Sequence, residues 1–277
     1  MCPLRLRIRP ESGESLPGFL VRQAERARLR SVSELAAIAG LRQPSSTVSN
    51  DDLTPLAFLT GIPSDRLDAM AYRPVDGGRH RYLGSAIDRD LIALRPRRVC
   101  PVCLKETGFH RMEWDFAPAT ACLRHHCRLE TSCPLCGRRF GWEHPSLTEC
   151  PCGASITALL PRIIPDAVVS ALSDLYAITS GASLPWIPPE LTDCTPSDLL
   201  KATLMIGMVV TGWNGRHRVA SMVAAGVEAV DAIMVAGANG LHRWPASLEE
   251  IRRTGIRPPW VWAGSAPYLL HLRRVIG

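Results

Sequence analysis

The chain has 277 residues, 46% of them hydrophobic, with 32 basic against 26 acidic side chains and a formal net charge of +6. That length allows two or three domains with cores of their own and excludes a mini-protein held by staples alone. The N-terminal "MCPLRLRIRPESGESLPGF" has arginines but no continuous apolar run, and the most apolar stretch, Thr203 to Trp213, is about half the length that crosses a bilayer; a cytoplasmic chain with no membrane partner is expected.

Composition separates three regions: residues 1–95, helical; 96–156, rich in cysteine and loops; and 157–277, helical again. The expected fold class is mainly α, with an N-terminal helix-turn-helix-like domain, tandem zinc-binding modules and a C-terminal helical domain. In the first region "SVSELAAIAGL" places Ser31 and Glu34 in capping-box spacing before apolar Leu35, Ile38 and Ala39, which predicts a short helix ending near Gly40. Next, "DDLTPLAFLTGIPSDRLDAM" spaces Ala57, Gly61 and Leu67 as a helix-turn-helix would. A small residue lets two helices approach, glycine takes the tight turn, and an aliphatic closes the core. Ser64 is the expected cap of the second helix, and Arg66 and Arg73, near its exposed side, are the candidate DNA-binding residues. Any helical hairpin with a Gly-Ile-Pro turn has the same pattern, so the shape is a firmer expectation than base reading.

Eight of the ten cysteines fall between Cys100 and Cys152, six of them as the close pairs Cys100/Cys103, Cys133/Cys136 and Cys150/Cys152. In a reducing compartment this distribution points to metal rather than to a disulfide frame. A first site would use Cys100, Cys103, Cys122 and His125, two pairs each with a two-residue gap and 18 residues between them. A second would use Cys133, Cys136, Cys150 and Cys152, whose pairs stand 13 residues apart. Four ligands in each case describe a structural Zn²⁺ with no open position, so two structural zinc ions are the expected cofactors. Gly137 and Gly153 follow the second site's knuckles and would supply the unusual backbone angles there. His126 and Cys127 compete with His125 as fourth ligand of the first site, although the two-residue spacing favours His125. Cys127, Cys2 and Cys194 otherwise read as core thiols or bystanders. Trp114, Phe116, Phe140 and Trp142 would pack around the knuckles. Seven thiolates against two zinc ions would lower the net charge to about +3, so basicity alone says little about nucleic acid. Of the basic residues only Lys105 and Lys201 are lysine. Arginine's planar fork suits phosphate, and a GC-rich genome would produce the same bias.

In the last region "PSDLLKATLMIGMVVTGW" predicts a buried helix capped by Ser197, "VASMVAAGVEAVDAIMVAG" predicts an alanine-rich helix, and "WPASLEEIRR" repeats capping-box spacing at Ser247 and Glu250. The methionine and valine stripes read as core. No P-loop, HExxH, GxSxG or zinc-deaminase motif is present, and the CxxC at Cys100 does not lie in a βαβ pattern. A binding protein is expected rather than an enzyme.

With both constellations in place the chain resembles the TniQ family, which includes the TnsD-type target selectors of bacterial transposons. Four stretches carry the resemblance: "RPESGESLPGFLVRQAERARL", "CPVCLKETGFHRMEWDFAPATACLRHHCRLETSCPLCG", "CPCG", and the "RWP" before a C-terminal helix. The resemblance implies a helical N-terminal domain, zinc modules and a helical tail, with the eight cysteine and histidine residues above as ligands. It implies a role in target selection, linking a target-recognition event to an AAA+ ATPase regulator that recruits the transposase on DNA. Some such proteins recognise a DNA site themselves. Others are carried by a CRISPR effector with its guide RNA, where the guide reads sequence and the protein is an adaptor. The chain is shorter than relatives with a large additional DNA-binding region, which favours the adaptor; the alternative is a site-specific DNA-binding protein or transcriptional regulator with Arg66 in a major groove. Related proteins can pair as homodimers, and the apolar C-terminal helices would serve either a dimer or a core.

Overall fold

Helices are the main regular elements of the computed structural model, which describes residues 2–41, 51–182, 184–216 and 218–253. In chain order these are α1 (Leu16–Arg26), α2 (Val32–Ile38), α3 (Thr54–Thr60), α4 (Ser64–Ala69), the short strands β1 (Arg79–Tyr82) and β2 (Ser85–Asp88), and α5 (Pro101–Thr107). The hairpin β3 (Ala121–Cys122) and β4 (Cys127–Arg128) follows, then α6 (Asp166–Thr179), α7 (Pro196–Val210), α8 (Val219–Ala224), α9 (Val227–His242) and α10 (Ala246–Arg253). The described residues divide into two compact units, one drawn from 1–83 and 92–163, the other from 84–91 and from 164 onward. Of the three compositional regions, the helical N-terminal one and the cysteine-rich one thus lie mostly within the same unit.

The first unit is organised by α1. Ser15 caps it, its Oγ accepting from the Gly18 N–H at 3.2 Å, and Pro17 sits in the first turn where no donor is needed. Leu16, Phe19, Leu20, Val21 and Ala24 are fully buried, a stripe at helical spacing. In α2 the Ser31 hydroxyl accepts from Glu34 N at 3.2 Å, but the Glu34 carboxylate accepts from Arg30 N at 2.9 Å, so only half of the expected reciprocal box forms. Helices α3 and α4 meet through Gly61, which adopts the left-handed φ of 72° and closes on the Ala57 carbonyl at 2.8 Å; Leu67 is fully buried beneath them. The expected cap at Ser64 is not found: Pro63 holds the capping position, and no side chain caps α4.

The second unit is built on α7 and α9, which approach to backbone contact. A Cβ on Gly207 would lie 1.9 Å from the Ile233 carbonyl oxygen, and one on Gly237 would lie 2.2 Å from that of Thr203, so only glycine fits at either crossing point. Leu204, Ile206, Met208 and Val209 are buried as core. Three sequence expectations are corrected. Thr195, not Ser197, caps α7, because Pro196 takes its first position; Ser197 is buried and accepts from Asp88 N at 2.9 Å. The alanine-rich segment is two helices, broken at Gly226, whose φ is 108°. Ser247 lies inside α10 and donates to the Gly240 carbonyl at 2.6 Å; the side chain of Glu250 is outside the described residues. Among the described residues no helix is long and apolar enough to cross a membrane.

Candidate metal centres

The first cysteine set is assembled by a helix start and a hairpin. Cys100 is the N-cap of α5, with Pro101 at the first position, and its sulfur accepts from Cys103 N at 3.5 Å, which turns both sulfurs to one side. Opposite them, β3 and β4 pair antiparallel with Cys122 facing Cys127, and His125 sits in the connecting turn, where His126 takes a φ of 47°. The His125 Nδ1 lies 3.5 Å from Cys100 Sγ, 3.2 Å from Cys103 Sγ and 3.7 Å from Cys122 Sγ; Cys103 and Cys122 sulfurs are 3.7 Å apart. A tetrahedron with metal–sulfur bonds of about 2.3 Å and metal–nitrogen bonds of about 2.0 Å has edges of roughly 3.5 to 3.8 Å. The four donors fit such an ion, and all of them lie within 4.8 Å of one another. The remaining ring nitrogen, Nε2, faces Glu106 Oε2 on α5 at 3.0 Å, the outer hydrogen bond that fixes a ligating histidine's tautomer.

Two tight knuckles bring together the second set. Cys133 O accepts from Gly137 N at 2.8 Å and Cys150 O from Gly153 N at 2.8 Å, with Gly137 at φ 69° and Gly153 at φ 85°. Those positive angles are the ones that glycine adopts without cost. Cys133 and Cys152 sulfurs stand 3.7 Å apart, as do those of Cys136 and Cys150, and all four lie within 4.8 Å of one another. These distances also match tetrahedral edges, so each of the two sets could hold a metal ion and both are compatible with zinc. Cys136 and Cys152 are exposed, whereas Cys100, Cys103 and Cys122 are buried; the second centre is the more superficial. None of the cysteines of the two sets is in a disulfide.

Contact within the sets divides the protons unequally. Contact with the Cys100 and Cys122 sulfurs, aided by burial, raises the Cys103 thiol, while hydrogen bonds from Cys100 and Cys103 hold Cys122 down at about 2. In the second set the Cys136 backbone N–H lowers Cys133 to about 7, and burial raises Cys150 to about 12. Crowded sulfurs without a cation among them can ionise only in part; a dication is what allows all to be thiolates together.

The same unit holds a buried polar relay that sequence reasoning missed. Gly18 N–H donates to Ser15 Oγ, Ser15 Oγ is 2.9 Å from His110 Nδ1, and His110 Nε2 is 3.0 Å from the Arg98 carbonyl. Burial and the nearby Arg97 hold His110 well below its usual range, so it is neutral: Nδ1 accepts from the hydroxyl and Nε2–H donates. Trp114 and Trp142 meet the imidazole edge-on at centroid distances of 5.0 and 4.8 Å, and Arg97 lies 5.8 Å from the ring centroids of Phe140 and Trp142. Phe116, also fully buried, stacks on Tyr82. The four aromatic residues expected around the knuckles are thus core. Nearby, buried Glu14 receives two bonds of 2.8 Å from Arg22. The "GES" of the N-terminal stretch is therefore a structural device that docks α1 on the "FHRMEWD" stretch.

The other candidate residues are placed differently. Arg66 is exposed on α4, but Arg73 is engaged: it donates to Asp68 Oδ1 at 2.7 Å and to the Asp51 carbonyl at 2.6 Å. Cys2 is exposed and Cys194 half-buried. Cys127 is fully buried with its sulfur 3.6 Å from that of Cys100.

Comparison with curated proteins finds no match. Comparison with family models gives one, to TniQ, over residues 5–129. That span begins before α1 and ends just after β4, enclosing the α3–α4 pair, the relay and the whole first cysteine set. Residues 5–129, somewhat under half of the chain, are similar to the TniQ family of transposition-associated proteins.

Proposed function

We propose that the chain is a non-enzymatic adaptor for DNA transposition, which links a target-recognition complex to an AAA+ ATPase regulator and through it to the transposase. The observation that carries this reading is the TniQ match over residues 5–129. Supporting it, both cysteine sets have four mutually close donors, the arrangement of a structural metal rather than of a catalytic one with an open position. The eight residues Cys100, Cys103, Cys122, His125, Cys133, Cys136, Cys150 and Cys152 would hold two Zn²⁺ ions, which when bound supply folding free energy to the knuckles. Contacts to DNA would be made by arginines to phosphate and would be salt-sensitive and largely independent of sequence. An RNA-guided CRISPR effector is one form the target complex would take.

Direct base reading by α4 has less support, because that helix has six residues and Arg73 is tied to Asp68. The deciding experiment is a pull-down of the AAA+ ATPase of the same transposon by chain purified without chelator, with metal content measured on the same sample. About two zinc ions per chain and retention of the ATPase are expected. Zinc without retention would move weight to the site-specific DNA-binding alternative.

A further inference from the structure

The β3–β4 hairpin carries one donor more than the first centre needs. Cys127 stands directly opposite Cys122 in the antiparallel register, and side chains so paired project to the same face. Its sulfur lies 3.6 Å from that of Cys100, a contact as close as the 3.7 Å between Cys103 and Cys122. It is fully buried and not part of a disulfide. His125 is placed otherwise. Its side chain is 18% exposed, and its outer nitrogen is bonded to Glu106, whose side chain is 51% exposed. Cys127 is thus a fifth donor, beside Cys100 and next to the four that lie within 4.8 Å of one another, and of the five the one nearest to water is the histidine.

We infer that Cys127 is a reserve ligand of the first centre, which takes the fourth position when His125 leaves and converts three cysteines and a histidine into four cysteines. The inference rests on the reading of these donors as metal ligands. In the exchange a bond from metal to Nδ1 would break, a bond from metal to the Cys127 sulfur would form, the thiol proton would pass to solvent, and the free imidazole would remain beside Glu106. No electron is transferred. The centre would thereby keep four protein ligands and leave no vacant position to admit water.

The test uses the full chain loaded with Co²⁺, read by metal stoichiometry and by thiolate-to-metal absorption. His125→Ala is expected to keep about two ions per chain, with the absorption of one additional thiolate and no response to added imidazole. His125→Ala combined with Cys127→Ala should lose one ion or bind imidazole. If His125→Ala alone loses an ion, or takes up imidazole, the inference is overturned. If the unaltered chain binds no metal, the reading of the cysteine sets fails instead. Should His125→Ala not fold, Glu106→Ala leaves every ligand in place while loosening His125. There the thiolate absorption should rise and Cys127→Ser should abolish the rise; an unchanged spectrum in Glu106→Ala would overturn the inference.

Discussion

Ser15 and His110, 95 residues apart in sequence, meet at 2.9 Å through Oγ and Nδ1 in the interior of the first unit. The hydroxyl caps α1 and at the same time gives its proton to a neutral imidazole, so the start of the first helix and the cysteine-rich segment are joined by one hydrogen-bonded chain. Ser15→Ala would leave the Gly18 N–H and His110 Nδ1 without partners. A loss of about 1–3 kcal/mol is expected by denaturant unfolding. Unchanged stability would mean that the relay contributes nothing.

Gly18 offers a steric counterpart. A Cβ there would lie 2.6 Å from the Cβ of His110, so Gly18→Ala must push α1 off the relay although alanine is the better helix former. The expected destabilisation is about 1–3 kcal/mol. A gain in stability would show that the helix can shift freely.

Asp115 makes stability depend on pH. Burial pushes its carboxyl from the ordinary 3.8 up to about 7, although the Tyr72 hydroxyl donates to it at 2.5 Å. The folded state then binds this proton more tightly than the unfolded state. Its contribution is greatest below pH 4 and is lost as pH rises through 7. Asp115→Asn removes the titration, so its stability relative to wild type should increase by about 2 kcal/mol between pH 5.5 and pH 8. Taking the difference between the two proteins cancels any metal release common to both. A flat difference would contradict the raised value.

The two centres should fail separately. Cys100→Ser and Cys133→Ser are each expected to remove one of about two ions, and the double variant both, by metal analysis of purified protein. Because the first set is buried and the second partly exposed, Cys100→Ser should lower the melting temperature of the whole first unit, and Cys133→Ser mainly open the 133–153 knuckles to proteolysis. Wild-type melting in Cys100→Ser would refute this.

If the chain touches DNA through phosphates alone, Arg66→Ala should weaken binding equally on unrelated duplexes and flatten the salt dependence by about one unit of slope. A changed base preference would instead restore the helix-turn-helix alternative.

The cysteine spacing was legible because knuckle geometry is local: a gap of one or two residues, followed in the second set by a glycine, brings a pair of donors together whatever the rest of the chain does. The helical class and the turn at Gly61 were legible for the same reason. The caps of the second unit were misassigned because a lone serine at Ser197 and capping-box spacing at Ser247 are weak local signals. The Thr195–Pro196 pair, with proline placed to open a helix, was the stronger one and carried the start of α7. The break at Gly226 is hidden in a run of alanines that reads equally well as one helix. The relay could not be read from either end, since its bonds join residues far apart in sequence. Glu106 had a signal in principle: a carboxylate three residues after Cys103, on the helix that begins at the first knuckle.

The path of the chain has a practical consequence. It crosses from the first unit to the second after Leu83, returns at Ile92, and crosses again after Ile163. The TniQ match, 5–129, therefore includes eight residues that fold with the other unit and omits the second cysteine set altogether. A fragment trimmed to the family boundary, or to residue 163, would expose Ile87 and Leu91, which are 0% exposed in the intact chain. Neither unit is a contiguous piece of sequence, so the chain is better dissected by point substitution, or by co-expressing complementary fragments, than by truncation.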